Sequence, residues 1–265
     1  MGAKGKTAVM AVAVAIAAVV LSGCGGDKKD GAAPLVKPVV TTSAAAAPFQ
    51  DLTADEVLRR AETSMKAASS MTVDMSFVSD GKPMQIKEAL TGSGKCAAAM
   101  RIEGTAFQII AIGTTGYLKA DAHYWETKGG SKGKAVAPLL AGKWVKLPPK
   151  LYAQSGFDTL CTIKGMIGTM SSDDNEGTLV KGHPTVLDGR PVLPLIHHKS
   201  GDVTTVYVTT TGNPYVVKVV TPSGPDRGSG TFGGFGKPAH IAAPPRSQTV
   251  DLSAYTGPDG DGFSV

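Results

Sequence analysis

Apolar and polar positions change their periodicity several times along the chain, and each change marks a predicted element. The first is a helix over 54–68, because apolar side chains recur there at steps of three and four residues. Thr53 and Glu56 have the spacing of a capping box, and apolar residues occupy both positions that pack across such a cap. The folded region is therefore predicted to begin at about Leu52.

Alternation of apolar and polar residues follows this helix and predicts an antiparallel meander. Asp80-Gly81 is a two-residue hairpin signal, because both positions of such a turn require a positive φ. Glu88 falls on the apolar face of its strand, so a β-bulge or a strand end is expected there. The predicted strands cover 71–77, 84–90, 95–103, 105–112 and 117–119.

The second half of the chain repeats this order with weaker patterns. An irregular segment is predicted over 121–142, and an apolar stripe predicts a second helix over 157–170. Residues 222–236 are rich in Gly, Pro and Ser and predict a loop. Strands are predicted over 144–147, 179–187, 190–197, 203–209, 215–220 and 235–241.

The N-terminal residues predict a signal peptide over 1–23. Lys4 and Lys6 precede an apolar run of about 14 residues, which is shorter than the ~20 that cross a bilayer as a helix. Leu21–Cys24 resembles the lipobox of bacterial lipoproteins. That resemblance implies cleavage between Gly23 and Cys24 and a diacylglycerol on the Cys24 thiol. The alternatives are a membrane-spanning helix and a secretory signal with a coincidental cysteine.

Residues 24–50 contain little that could form a core, and Gly, Ala, Pro, Ser, Thr and Lys dominate them. Such a composition predicts a disordered tether, here lipidated at its first residue. The expected location is the cell membrane, with the folded part anchored by lipid on the extracellular face. The partner of that anchor is the membrane itself, through diacylglyceryl-Cys24.

The two remaining cysteines are expected to form a disulfide. Cys96 and Cys161 are an even pair in an exported protein, where thiols are oxidised. Two buried free thiols are the alternative. A metal site is not predicted, because neither cysteine has a nearby Cys or His at ligand spacing.

Composition favours a β-rich domain and argues against nucleic-acid binding. Glycine is abundant, with 33 residues, and Val and Thr cluster in short runs. Only 18% of the residues are charged, and removing 1–23 lowers the formal charge from +5 to +3. One group of lysines is expected to form a solvated face, with attraction to anionic lipid headgroups as the alternative. The group consists of Lys128, Lys132, Lys134, Lys143, Lys146 and Lys150.

No catalytic residue, cofactor or metal ligand is predicted. Gly228–Gly233 matches G-x-G-x-x-G, but glycine and then Pro238 follow where a dinucleotide site needs a helix. His197 and His198 would point to opposite faces of a strand, which is poor geometry for binding one metal ion. No nucleophile-elbow motif occurs, so acyl-transfer chemistry has little support.

The order of lipobox, tether, helix, meander, second helix and second meander resembles the LppX/LprG family of bacterial cell-envelope lipoproteins, which is related to the LolA lipoprotein carrier. The resemblance covers about 52–252. It rests on Gly116–Lys119, Gly142–Lys146, Asp188–Leu195, Phe235–Pro238 and Ala243–Pro245. It implies an α+β fold, a strongly curved antiparallel sheet or half-barrel with helices across its concave face. The domain is then expected over 51–253, with a frayed tail over 254–265.

The resemblance also implies an apolar cavity that holds lipid or acyl chains in some members of the family. Alternation places Met75, Phe77, Ile86, Met100 and Leu160 near the concave face, where they are cavity candidates or ordinary core residues. The expected function is non-catalytic binding or transfer of a lipid or lipoglycan. The rival hypothesis is an envelope scaffold or sensor with a filled core that acts through a protein partner. A hydrolase with an unrecognised site is a third, weaker option.

Overall fold

The computed structural model describes residues 49–171, 177–199 and 201–256. These residues form thirteen β-strands and seven α-helices. The strands are β1 (Ser70–Ser79), β2 (Lys82–Thr91), β3 (Lys95–Ile102), β4 (Thr105–Ile112), β5 (Thr115–Ala120), β6 (Trp144–Lys146), β7 (Thr178–Lys181), β8 (Thr185–Leu187), β9 (Arg190–Lys199), β10 (Asp202–Thr209), β11 (Val216–Thr221), β12 (Gly228–Gly233) and β13 (Thr249–Asp251). The helices are α1 (Ala54–Lys66), α2 (Ala122–Lys128), α3 (Gly133–Leu140), α4 (Pro149–Gln154), α5 (Phe157–Leu160), α6 (Ile163–Ser171) and α7 (Ser253–Thr256).

All thirteen strands belong to one curved, unclosed sheet. Its order is β13-β6-β5-β4-β3-β2-β1-β12-β11-β10-β9-β7, and β8 pairs with the other part of β9. Every pair is antiparallel except β13 with β6, which is parallel. The helices cover the concave face, where the apolar side chains of the strands are buried. The predicted α+β half-barrel is confirmed by this topology.

The first helix and the first hairpin agree with the sequence predictions. The Thr53 hydroxyl accepts a hydrogen bond from the Glu56 N–H at 3.2 Å, and the Glu56 carboxylate accepts one from the Thr53 N–H at 3.1 Å. Between β1 and β2, Asp80 and Gly81 have φ values of 51° and 76°. Both positions of the turn are therefore left-handed, as a two-residue hairpin of this kind requires.

The start of the domain is held to the edge of the sheet by Lys181. Its ammonium donates hydrogen bonds to the carbonyl oxygens of Phe49, Gln50 and Leu52 at 3.1, 3.2 and 2.6 Å. Lys181 is the last residue of the edge strand β7. The segment before α1 is thus held to the sheet by one charged group that bonds three of its backbone carbonyls.

The prediction of a β-bulge or a strand end at Glu88 is wrong, because β2 continues through it to Thr91. Glu88 pairs with Val73 on β1 and with Ala98 on β3, and the register continues without a shift on either side. The strand keeps its pleat, so the side chain points to the concave face together with Ile86 and Leu90. A carboxyl group is therefore buried among apolar side chains.

The irregular segment predicted over 121–142 is instead largely helical, with α2, a 3-10 turn and α3. The Asp121 carboxylate caps α2 by accepting the Tyr124 N–H at 2.8 Å. The periodicity was hard to recognise because α2 has seven residues and α3 contains Pro138. These short helices place Tyr124 and Trp125 in the core.

The second predicted helix is broken in two at Cys161. The hydroxyl of Thr162 accepts the N–H of Gly165 at 3.0 Å and so caps the start of α6. The short helix α4 precedes this pair, where the sequence predicted no helix. The strand predicted over 179–187 is likewise divided, into β7 and β8, and both pieces pair with β9.

The largest correction concerns the loop predicted over 222–236. Its residues 228–233 form β12, an inner strand that pairs with β1 on one side and with β11 on the other. The strand predicted over 235–241 is absent, and the last strand of the described chain is β13. An ion pair of 2.9 Å between Lys146 and Asp251 joins β13 to β6.

Several predicted features lie outside the described residues. They are the signal peptide, Cys24, nearly all of the tether and most of the tail. Their assignment, and the bounds of the domain, stay predictions. Among the helices that are described, none has the length and apolar character needed to cross a membrane.

Candidate functional site

The candidate site is an apolar groove on the concave face, where β1, β2, β11 and β12 meet α5 and α6. It has a volume of about 380 Å³ and opens to solvent on one side. It is lined by Met75, Phe77, Ile86, Leu160, Met166, Val219, Thr221, Asp226, Gly228, Ser229, Gly230 and Phe232. Asp226 is the one ionisable side chain in this lining and is exposed.

A much smaller inner cavity of about 20 Å³ adjoins the groove. It is lined by Ile86, Glu88, Ala98, Met100, Ile109, Phe157, Leu160, Cys161 and Met166. Ile86, Leu160 and Met166 belong to both linings, so they separate the groove from the inner cavity. The inner cavity is large enough for about one water molecule or one small polar group.

The five cavity candidates from the sequence lie together at this place. Met75 and Phe77 line the groove, Met100 lines the inner cavity, and Ile86 and Leu160 line both. Alternation along the strands was sufficient to find the four strand residues, because it identifies the concave face. That these residues bind lipid stays a prediction.

Two glycines of β12 make the room for the groove, and sequence reasoning missed their role. Gly228 lies opposite Phe77 and Gly230 opposite Met75. A Cβ atom at Gly228 would collide with the Cα and Cβ of Phe77, and one at Gly230 would lie 2.8 Å from the Cγ of Met75. Because these two positions have no side chain, the side chains of Phe77 and Met75 can pack over the backbone of β12. The glycine motif is therefore a packing feature of a strand and not a phosphate loop.

Glu88 is the second functional candidate that the sequence did not identify. It is only 6% exposed, and within the described part of the chain no hydrogen bond or ion pair reaches its carboxyl group. Burial raises the pKa of Glu88 from 4.5 to about 8. The one available signal was a charged residue on the apolar face of a predicted strand.

The disulfide between Cys96 and Cys161 is present and lies beside Glu88. It joins β3 to the break between α5 and α6, with 5.1 Å between the two Cα atoms. A carboxylate oxygen of Glu88 and the two sulfur atoms lie within 4.8 Å of one another. Because both sulfurs are bonded in the disulfide, this cluster has no thiolate with which to bind a metal. The disulfide holds α5 and α6 over the inner cavity.

A second depression, of about 590 Å³, is larger, and its lining mixes apolar residues with lysine, arginine, glutamine and aspartate side chains. Its cations already have contacts. Lys87 pairs with Asp74 at 3.1 Å, Arg101 donates to the Gly104 carbonyl at 3.3 Å, and the Lys119 ammonium lies 5.9 Å from the centre of the Trp144 ring. Because its cations are already engaged, we do not take this depression as the candidate site, although its volume is larger.

The other sequence candidates lie away from the groove. His197 and His198 are consecutive on β9, opposite Thr204 and Val203, so their side chains point to opposite faces. Five of the six grouped lysines are exposed around α2, α3 and α4, and Lys146 is half-buried in its pair with Asp251. None of these residues adds a charge to the groove lining.

Comparison with known proteins identifies similar folds. No protein-family profile and no curated protein sequence matches the chain. The crystal structure of LprF from Mycobacterium bovis is similar with 12% identity and a TM-score of 0.47 over 75% of this chain and 99% of that one. LppX from Mycobacterium tuberculosis is similar with 11% identity and a TM-score of 0.46 over 71% and 98%. A LolA-superfamily protein from Nitrosomonas europaea has 9% identity and a TM-score of 0.24 over 67% and 76%.

These neighbours are of the kind that the sequence resemblance named, LppX-like lipoproteins and LolA-superfamily proteins. With identities of 9–12% and TM-scores below 0.5, this likeness transfers no ligand and no residue role to the chain. The fold class itself rests on the strand order and on the position of the helices. The chain has an α+β half-barrel fold, similar to those of LprF and LppX, with an apolar groove on its concave face.

Proposed function

We propose that this chain is a lipoprotein, anchored through Cys24 at the extracellular face of the cell membrane, that binds or transfers a lipid without catalysing a reaction. The observation that carries the proposal is the groove of about 380 Å³ in the concave face. Its volume lies within the ~300–1,000 Å³ range of small-molecule sites. Each methylene group of a ligand that becomes buried in the groove would contribute about 0.8 kcal/mol to the free energy of binding.

The chemistry of the lining supports binding over catalysis. The residues around the groove and the inner cavity include no histidine, no lysine and no free thiol that could activate a nucleophile. Glu88 and Asp226 are the ionisable side chains there, one buried and one exposed. The apolar remainder is suited to an acyl or alkyl chain.

The first test is binding by the Cys24→Ser protein, which has no site for the anchor, purified without detergent. Native mass spectrometry should find a bound lipid, and a fluorescent fatty-acyl probe should bind with one-to-one stoichiometry. Leu160→Trp fills the groove and should lower the affinity for the probe by about tenfold, which is equivalent to about 1.4 kcal/mol of binding free energy. Leu139→Trp is the matched control, because Leu139 is 55% exposed on α3.

Failure to find either lipid or probe would refute the carrier function and favour a scaffold that acts through a protein partner. The anchor is tested separately. The unchanged protein should fractionate with membranes after a salt wash, and Cys24→Ser should release it. Retention of the Cys24→Ser protein in the membrane fraction would refute the lipobox assignment.

A further inference from the structure

We propose that Glu88 is the polar contact of this site, and that the groove selects a neutral single-chain lipid whose hydroxyl group enters the inner cavity. The inference rests on the proposed function and specifies the class of ligand. It follows from the position of Glu88, the charges around it and the size of the two cavities.

The position of Glu88 is costly without a partner. Its side chain projects from the middle of β2, between Val73 and Ala98, into a cavity that is otherwise lined by apolar side chains and the disulfide. Burying a carboxyl group that makes no hydrogen bond is unfavourable, and buried polar groups in proteins are nearly always satisfied. The carboxyl group lies in the inner cavity beside the open apolar groove, so it can form a hydrogen bond with a polar group of a ligand in that groove.

The surroundings favour the neutral acid. The residues that face Glu88 are Val73 from β1, Ala98 from β3 and the disulfide and Met166 from the α5–α6 side, and none of them titrates. Burial raises the pKa of Glu88 to about 8, so the carboxyl group is mostly protonated at neutral pH. A protonated carboxyl group offers one O–H donor and accepts at its other oxygen.

Charge then excludes the two ionic kinds of headgroup. A carboxylate or phosphate would lose its water in the inner cavity, whose lining has no cation to neutralise it, and the groove adds only the acidic Asp226. An ammonium group would lose its water in the inner cavity and have Glu88 as its single polar partner, leaving donors unpaired. A hydroxyl group can accept from the acid or donate to it, and it carries no charge that must be desolvated.

The dimensions determine the orientation of the ligand. The inner cavity of about 20 Å³ accommodates one hydroxyl group but no alkyl chain. The groove of about 380 Å³ accommodates the chain. Ile86, Leu160 and Met166 lie between the two, and the unbranched side chain of Met166 can adjust to let the hydroxyl group through.

The test uses the full-length Cys24→Ser protein at pH 6.5 and measures displacement of Nile red by four ligands with the same chain. They are dodecanol, 1-chlorododecane, dodecanoate and dodecylamine. Dodecanol should bind about tenfold more tightly than 1-chlorododecane, the effect of one hydrogen bond, and more tightly than either charged ligand. Glu88→Leu should abolish this preference, and Glu88→Gln, which keeps a donor and an acceptor, should retain most of it.

Glu126→Leu is the matched control, since Glu126 is exposed on α2 and its replacement should leave all four affinities unchanged. The inference is wrong if the Glu88→Leu protein still prefers dodecanol. It is also wrong if the protein with Glu88 unchanged prefers dodecanoate or dodecylamine. In both cases the proposed function stands. If neither Nile red nor any of the four ligands binds, the proposed function itself fails.

Discussion

The concave face of this sheet is covered in two different ways along its length. At the closed end, which comprises β4–β6 and α2–α4, α2 packs against β4, α4 packs against β5, and α3 packs against α2. Leu118, Trp125 and Val145 are fully buried there. At the open end, β1, β2, β11 and β12 face α5 and α6, and Met75, Phe77 and Leu160 stay partly accessible around a groove. Both ends have alternating apolar strands, so the strand pattern alone does not make a binding site.

The difference comes from what stands opposite the strands. At the closed end the helices supply large aromatic side chains, and Tyr152 packs so closely on Gly116 that a Cβ atom there would collide with its ring. At the open end β12 supplies glycines, and α5 and α6 are short segments that a disulfide joins to β3. A groove thus forms where side chains are missing, and a core forms where they are present.

The largest expected difference between the two ends is in their response to pH. The pKa of Glu88 rises on folding from 4.5 to about 8, so the folded protein binds more protons than the unfolded chain between these values. The free energy of unfolding should therefore fall as the pH rises from about 4.5 to about 8, by up to about 5 kcal/mol. Urea titrations of the wild type and Glu88→Gln at pH 5, 7 and 9 measure this effect.

At the closed end, the same experiment should show a pH dependence of the free energy of unfolding in a different pH range. Burial raises the pKa of Tyr124 from 10 to about 12, so its contribution changes only above pH 10. Glu88→Gln should remove most of the dependence between pH 5 and 9 and leave the alkaline limb in place. Parallel pH profiles of the wild type and Glu88→Gln would contradict the burial of a free carboxyl group at the open end.

The second largest effect is expected from the disulfide. Replacing Cys96 and Cys161 together by alanine frees a loop closed over a sequence separation of 65, for which chain entropy predicts a loss of about 4 kcal/mol. Hydrogen exchange should show that α5 and α6 lose protection first, because the disulfide attaches them to the sheet. An equal loss of protection in α2–α4 would show that the two ends unfold as one unit.

A matched pair of leucine truncations should separate the ends directly. Leu118→Ala removes a fully buried side chain at the closed end and should cost about 3 kcal/mol, because it leaves a cavity. Leu160→Ala at the open end should cost about 1 kcal/mol, since it enlarges a groove that already exists. Chemical denaturation measures both, and equal losses would mean that the groove is filled in solution.

The smallest change in stability is expected from Gly230→Ala. The new methyl group would lie 2.8 Å from Cγ of Met75, so the Met75 side chain must turn away. The better strand-forming tendency of alanine offsets part of this cost and leaves a net change of about 1 kcal/mol. Because Met75 would move into the groove, binding of a fatty-acyl probe should weaken severalfold. Gly233→Ala is the control on the same strand, where a Cβ atom would meet Thr72 at an ordinary 3.5 Å. Equal affinities of the two variants would contradict the role of Gly230.

Local patterns in the sequence were sufficient for much of this structure. The capping box located α1, alternation located the first five strands and their concave face, and an even pair of cysteines identified the disulfide. These features depend on neighbours within a few residues or on simple pairing rules. The four strand residues among the five cavity candidates were found for the same reason.

The features that could not be predicted depend on partners far away in the chain. The strand β12 has a loop-like composition, and it becomes a strand because its glycines fit under Phe77 and Met75 of β1. Glu88 suggested a bulge because a buried carboxyl group is unfavourable by itself, and only the surrounding cavity shows why it remains on the pleat. The groove and its inner cavity form at these two places, the glycine-rich strand β12 and the buried Glu88, where the tertiary structure overrides the local sequence pattern.

The bonds of Lys181 have a mechanical consequence. Any tension on the segment before Phe49 reaches the carbonyls of Phe49, Gln50 and Leu52 before it reaches α1, and Lys181 passes it to the edge strand β7. Part of the load therefore enters the sheet at its edge strand instead of passing through α1. If the domain is pulled at its N-terminus, α1 should therefore keep its position until the hydrogen bonds of Lys181 break.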